Sequence, residues 1–404
     1  MKSNGVRLER RIGYRQLIEI ITLFMIVQFF GLFIAVFSLN PVQTTVISSS
    51  TSSSLNSPLV QAVYDVVSIA VFTILILAIL RLYKNKGALL FRLVESFAVG
   101  FGTIVMFFFI LTTIFYAVNV VYTAAVAILF GAIVVIAKNR VKHLRNFAAL
   151  TSSIGLGIVI GNYGFVLAYV FMFIMAMYDY IAVFITKHML VLAKAASNEN
   201  LSLLIGSSNV EVVPRAQADR KVLAELKNEV KKNQIKDPII KRVIDSGEMP
   251  VLSQVQLGAG DLTLPLVMSV GLFISTAYFS VPTGSSAAIN VYYLPMVAAL
   301  GAVAGLIFTM WLLKRYSVAL PAIPPLFAVM NFFIGFGMLA YSRPKNFLIG
   351  IGIHQGSYID YYMIAAGMII VGAAFLLLMI ITLERNRNKQ KSAKTSKGRT
   401  AQKS

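Results

Sequence analysis

Hydrophobic side chains along this chain gather into long runs, and the charged residues fall mostly in the gaps between them. Runs lie near 17–39, 62–83, 93–115, 117–137, 147–161, 164–186, 262–282, 287–313, 320–341 and 361–383. A helix needs about 20 apolar residues to cross a hydrocarbon core of roughly 30 Å, so these runs predict ten membrane helices. The run at 147–161 is the shortest and would span only thinly. The first run is too long for the core of a signal peptide and lacks a clear cleavage site, so it stays as a membrane helix.

The connections test that count, because cytoplasmic loops of membrane proteins collect Lys and Arg. The N-terminus carries Lys2, Arg7, Arg10, Arg11 and Arg15. Lys84, Lys86 and Arg92 follow the second span, and Lys138, Arg140, Lys142 and Arg145 follow the fourth. Lys187 and a basic loop follow the sixth, Lys314 and Arg315 the eighth, and a basic tail the tenth. The alternate connections, 40–61, 116, 162–163 and 283–286, contain neither residue. Only 342–360 departs, with Arg343 and Lys345. Basic segments on both sides of 147–186 require that stretch to cross twice. The expected molecule is an all-α polytopic membrane protein with both termini in the cytoplasm.

Composition agrees. Of 404 residues, 58% are hydrophobic and 13% charged, with a mean hydropathy of +0.78, whereas soluble chains carry about 25% charged residues. The net charge of +20 follows topology. The tail from Arg385 to Lys403 has many basic side chains and no aromatic ring to stack a base, which fits a tail beside anionic lipid better than one that binds nucleic acid. Cysteine is absent, which excludes disulfides, thiolate metal sites and a cysteine nucleophile. The three histidines, His143, His188 and His354, are not paired at metal-ligand spacing.

Six regions result: a basic N-terminus (1–16), spans one to six (17–193), a cytoplasmic loop (194–256), spans seven to nine (257–341), an external loop with a tenth span (342–383), and a basic tail (384–404). Residues 44–58 are Ser/Thr-rich and external. Within the large loop, 214–234 has helical periodicity, and Asp237-Pro238 ends it. Residues 250–257 alternate in part between apolar and polar, as an extended edge able to pair with an unwound peptide does, although an ordinary loop is as good an account. Apolar stretches at Ile239-Ile240 and Val251-Leu252 leave self-cleavage of this loop open.

Ionisable groups at membrane depth are costly and point to function. Most have a structural explanation here. Glu19 lies four residues after Arg15, and Glu95 three after Arg92. Asp65 and Asp360 lie at helix N-termini, where the dipole favours an anion. Two remain. Asp179, after Tyr178, sits inside span six, about 12 Å from Lys187 at 1.5 Å per residue. A buried hydrogen bond to a neighbouring helix and a proton or ion relay both compete to explain it. Asp261 closes Gly258-Ala259-Gly260-Asp261 where span seven begins. An acid after a glycine turn is commonly a plain helix cap, but span six runs inward and span seven returns, so the two carboxylates are free to meet. Such a pair cannot readily ionise twice. It shares a proton and so offers one base and one acid. One Asp then takes a proton from water while the other protonates a scissile carbonyl, with no metal, Ser, Cys or His required.

Three motifs together resemble the presenilin and signal-peptide-peptidase group of intramembrane aspartyl proteases. They are Tyr178-Asp179 on span six, Gly258-x-Gly260-Asp261 on span seven, and Leu320-Pro321-Ala322-Ile323-Pro324 opening span nine. The likeness covers roughly 1–341; Ile323 replaces the family's Leu, and the tenth span is additional. It implies a presenilin-like nine-helix bundle plus that tenth helix, acting as an endopeptidase on transmembrane proteins or peptides in the bilayer. It also implies Asp179 and Asp261 as the catalytic pair, with Tyr178, Gly258, Gly260, Pro321, Ala322 and Ile323 as positioning residues. No metal or other cofactor is implied. Pro321, Pro324 and Pro325 lack N–H donors, so the segment is expected not to start as a regular helix and, by the resemblance, to line the substrate side, although in isolation a proline cluster that merely begins a helix is as good an account. Basic ends, absent cysteines and short external loops are similar to archaeal presenilin homologues, which act without partner subunits; self-association stays open. The orientation resembles presenilins and implies substrates with an external N-terminus. A transporter or channel using the same aspartates is the main alternative. A membrane scaffold and a prepilin-type peptidase are weaker ones, since the latter leaves the Tyr-Asp and Pro-Ala-Ile motifs unexplained.

Overall fold

The computed structural model describes residues 14–38, 87–115, 119–140, 142–186, 204–213, 249–277, 285–316, 321–341, 344–353 and 356–401. The expected span 62–83, the Ser/Thr-rich stretch 44–58, the helix expected at 214–234 and Leu320 lie outside the described residues. The chain divides into two compact units, Met1–Ile20 with Gly206–Leu257, and Ile21–Ile205 with Gly258–Ser404. The first holds most of a two-stranded sheet, β1 (Leu204–Val213) and β2 (Met249–Gly258). The alternating residues 250–257 are therefore extended, with β1 beside them. Pro250 falls next to the strand's first residue, where a missing N–H is tolerated.

The second unit is helical. In chain order the helices are α1 (Tyr14–Ser38, in this unit from Ile21 on), α2 (Gly87–Ile114), α3 (Val120–Arg140), α4 (Lys142–Gly161) and α5 (Phe165–Tyr180). They continue as α6 (Ala259–Ala277), α7 (Ser285–Tyr316), α8 (Ile323–Ala340), the short α9 (Pro344–Gly350) and α10 (Tyr358–Ala401). Among the described residues nine helices, all but α9, are long and apolar enough to cross a membrane. The protein is an all-α polytopic membrane protein. The thin run at 147–161 is a full helix whose membrane-length part, Leu144–Gly161, begins upstream of the apolar residues.

Lipid tails are as apolar as side chains, so helices here associate through close packing and hydrogen bonds rather than hydrophobic burial. A β-carbon on Gly155 of α4 would overlap the Gly102 carbonyl of α2, so glycine is what lets these backbones touch. Thr103 and Thr151 bond across the same contact at 3.1 Å. The most buried helix is α6. Every side chain from Leu262 to Phe273 is buried, and hydrogen bonds reach it from three neighbours. Gln28 Nε2 of α1 donates to the Leu262 carbonyl (2.9 Å), Ser153 of α4 donates to the Ala259 carbonyl (3.3 Å), and Ser275 Oγ accepts the Phe165 N–H of α5 (3.0 Å). Glu95 pairs across helices with Lys138, at 3.5 Å, so its local spacing from Arg92 is not the whole account of a charge at this depth.

The 342–360 connection contains α9, and Asp360 accepts the Ser357 N–H at 2.6 Å, as an acid at a helix start does. The last helix runs past the expected 361–383 through most of the basic tail without a break. It packs along α8, where Gly372 approaches the Ala328 carbonyl and Tyr361 donates to the Met338 carbonyl at 2.7 Å.

Candidate active site

Asp179 is buried in the last turn of α5, which continues as a turn of π-helix, Ile181–Ile185, closed by Thr186 N–H on the Ile181 carbonyl at 3.0 Å. Such insertions are rare and concentrate at functional sites. Asp179 Oδ2 accepts the Ile323 N–H at 3.3 Å, and the Ala322 N–H is also directed at this carboxylate.

The proline motif explains why those two amides are available. The first N–H groups of a helix have no partner within it. In α8 the first-turn residues Pro324 and Pro325 carry no N–H, so Ala322 and Ile323 supply the donors left at this end. The carboxylate of another helix then caps α8. This corrects the expectation that Pro321, Pro324 and Pro325 prevent a regular start. Proline fits the first turn, because the N–H it lacks has no helical partner there, and α8 begins regularly at Ile323. Pro321 and Ile323 are buried and Ala322 is half-buried.

Asp261 lies in the first turn of α6 and is half-buried. Its Oδ2 accepts the Gly258 N–H at 3.1 Å, reaching back three residues as the acidic arm of a capping box does. The cap explanation of this residue is therefore correct for one oxygen. It is not the whole account, because the charge of Asp179 also acts on Asp261, so the two carboxylates lie within electrostatic reach.

The glycines divide. Neither is among the described glycines with positive φ, Gly164 and Gly352, so left-handed backbone is not what either supplies. A β-carbon on Gly258 would meet Asp261 Oδ2 at 3.2 Å, a close approach, whereas one on Gly260 meets nothing within 4 Å. Tyr178 is exposed by 46%, one residue round the helix from buried Asp179. Among the described residues no group of three or more His, Asp or Glu could hold a metal ion.

Two polar residues near the aspartates were not singled out from the sequence. Tyr180, beside Asp179, bonds to Thr382 of α10 at 2.7 Å. Gln28, fully buried in the first span, holds the carbonyl of the residue after Asp261. A lone amide in an apolar run was the available signal for Gln28. For Tyr180 there was none, since aromatic residues are common in membrane helices.

A sequence model of the family described as signal-peptide peptidase, presenilin aspartyl protease matches residues 21–341. No curated protein matches the chain. The match takes in Asp179, Asp261 and the proline motif and stops before α9 and α10.

Proposed function

This chain belongs to the signal-peptide peptidase and presenilin aspartyl protease family, and from that premise we propose that it hydrolyses peptide bonds inside transmembrane segments of other proteins, with Asp179 and Asp261 as the acid–base pair. The observation that carries the reading is that these two carboxylates, 82 residues apart by their numbering (261 − 179) and on different helices, lie within electrostatic reach of each other. The family assignment lends no support to the transporter alternative.

The reaction needs one carboxylate and one carboxylic acid. The carboxylate removes a proton from water as the oxygen attacks the carbonyl carbon of the scissile bond, and the acid gives its proton to the carbonyl oxygen. The resulting tetrahedral diol collapses as the amide nitrogen takes up a proton and the C–N bond breaks, leaving a carboxyl and an amine. The proton moves within the pair and water is the only co-reactant. Because the two titrate as a unit, base and acid roles are shared between them. The amides of Ala322 and Ile323 hold one carboxyl, and that of Gly258 holds the other. Geometry fixed before substrate arrives lowers the barrier, since orientation is no longer lost in the transition state. A helical substrate hides its peptide bonds and has to unwind locally. The open space over Gly260 gives such a backbone room to approach Asp261.

The distribution of Lys and Arg supports a cytoplasmic N-terminus and a cytoplasmic 194–256 loop; the resemblance to presenilins in that orientation implies substrates with an external N-terminus, and the cell membrane is the proposed location. The decisive experiment is cleavage of a single-span substrate in liposomes by the intact protein and by Asp179→Asn and Asp261→Asn. Each substitution is expected to lower kcat by at least about 10²–10⁴-fold with the fold retained. Cleavage that survives either change would refute the assignment.

A further inference from the structure

The helix α10 lies beyond the residues that match the family, yet it packs against the turn that carries Asp179. We propose that α10 is a positioning brace for Asp179, acting through the hydrogen bond between Tyr180 and Thr382. The proposal rests on the protease reading given above.

The direction of that bond follows from counting hydrogens. Thr382 donates its only hydroxyl hydrogen to the Leu378 carbonyl, at 2.8 Å, within its own helix. Tyr180 therefore donates to Thr382 Oγ1, at 2.7 Å. Tyr180 directly follows Asp179 and ends α5 before the π-turn. Successive residues of a helix point about 100° apart, so anchoring the side chain of Tyr180 fixes the rotation of the turn and, with it, the direction of the Asp179 carboxyl. A π-turn sits next to this point, where the regular ladder of backbone bonds is interrupted. Its Phe184 packs on a buried cluster of Leu312, Met379 and Leu383, two of them from α10.

The same helix reaches the other partner of Asp179. Phe375 of α10 sets its ring edge-on to Phe173 of α5 (5.7 Å between centroids) and to Phe327 of α8 (5.2 Å). Phe327 lies one turn after Ile323, whose N–H holds Asp179. Each side of the Asp179–Ile323 bond is thus packed against one helix. The brace also supplies what lipid cannot, a hydroxyl at membrane depth that meets Tyr180 with fixed geometry.

The test uses the full chain in liposomes, with kcat and KM measured on a single-span substrate. Thr382→Val, which keeps the shape and removes the acceptor, is expected to lower kcat about 3- to 10-fold while KM stays within about twofold. Tyr180→Phe is expected to do the same, the double variant to be no worse than either single one, and Thr382→Ser to recover most of the loss. A second readout does not depend on proteolysis. The infrared carbonyl stretch of the Asp179 carboxyl, recorded at a pH acidic enough to protonate both aspartates and identified by its loss in Asp179→Asn, is expected to shift in Thr382→Val and Tyr180→Phe and to return in Thr382→Ser. A wild-type kcat in Thr382→Val overturns the brace, as does an equal loss in Thr382→Ser or additive losses in the double variant. If the intact protein cleaves nothing, the protease reading fails. The infrared band then decides the brace alone: a shift supports it and an unmoved band overturns it.

Discussion

Replacing Gly258 by alanine perturbs Asp261 without touching either carboxylate chemically. The new β-carbon falls 3.2 Å from Asp261 Oδ2 and 3.7 Å from its Cγ. Comfortable contacts begin near 3.5 Å, so the carboxylate or the backbone yields by about 0.3 Å. A misplacement of about 1 Å at a reacting group costs roughly 100-fold in rate. In proportion, the shift costs about 0.8 kcal/mol, or about fourfold in kcat. Weakening of the 3.1 Å bond from the Gly258 N–H adds to this. Because Gly258 is not among the positive-φ glycines, alanine fits its backbone and removes freedom from the unfolded chain, a gain of about 0.4–1 kcal/mol. The melting temperature in detergent is therefore expected to hold or rise while kcat falls. Gly260→Ala is the matched comparison, since its β-carbon meets nothing. It is expected to leave kcat within about twofold and to raise KM, because it fills space offered to substrate. Steady-state cleavage of one substrate by both variants checks the pair. The reasoning is refuted by a wild-type kcat in Gly258→Ala, or by a larger fall in kcat from Gly260→Ala.

Two further outcomes follow from other parts of the molecule. The Glu95–Lys138 pair is 3.5 Å apart, with side chains exposed by only 5% and 1%. Either Glu95→Leu or Lys138→Met leaves a buried charge and is expected to cost about 3–5 kcal/mol, whereas the double variant costs less than either. Thermal melting of the three proteins checks this, and simple additivity would contradict it. For the orientation, Ser404→Cys places a single thiol in a chain without cysteine. An impermeant thiol reagent is expected to reach it only after cells are permeabilised, and labelling of intact cells would reverse the topology.

Much of the architecture was legible because a bilayer imposes local rules. A helix must be apolar for about 20 residues and must satisfy its own backbone. Loop charge then fixes the count of crossings, even for α4, whose apolar run looked too short. The first turn of α4, upstream of Phe147, carries Lys142, Arg145 and Asn146, so hydropathy alone marked only the apolar part of a longer helix. Asp179 stood out for the related reason that a carboxylate in an apolar run has no cheap explanation, whereas Asp261 could pass for a helix cap and stood out only by its place on the returning span. The proline motif was legible as a motif but not as a device. Its donors matter only because Asp179 arrives from another helix to accept them.

The amino-acid sequence by itself determined that the chain is a polytopic helical membrane protein and where most of its helices run, and it singled out the two carboxylates proposed as the catalytic pair. Tertiary structure alone decided which helix meets which. A membrane helix is apolar towards lipid and towards its neighbours alike, so its pattern carries little record of the face it packs. The pairing of Gly102 with Gly155, the grip of Ala322 and Ile323 on Asp179, and the contact of Thr382 with Tyr180 are all of this kind. Each joins residues far apart in the chain through a contact whose energy exists only once both helices are in place.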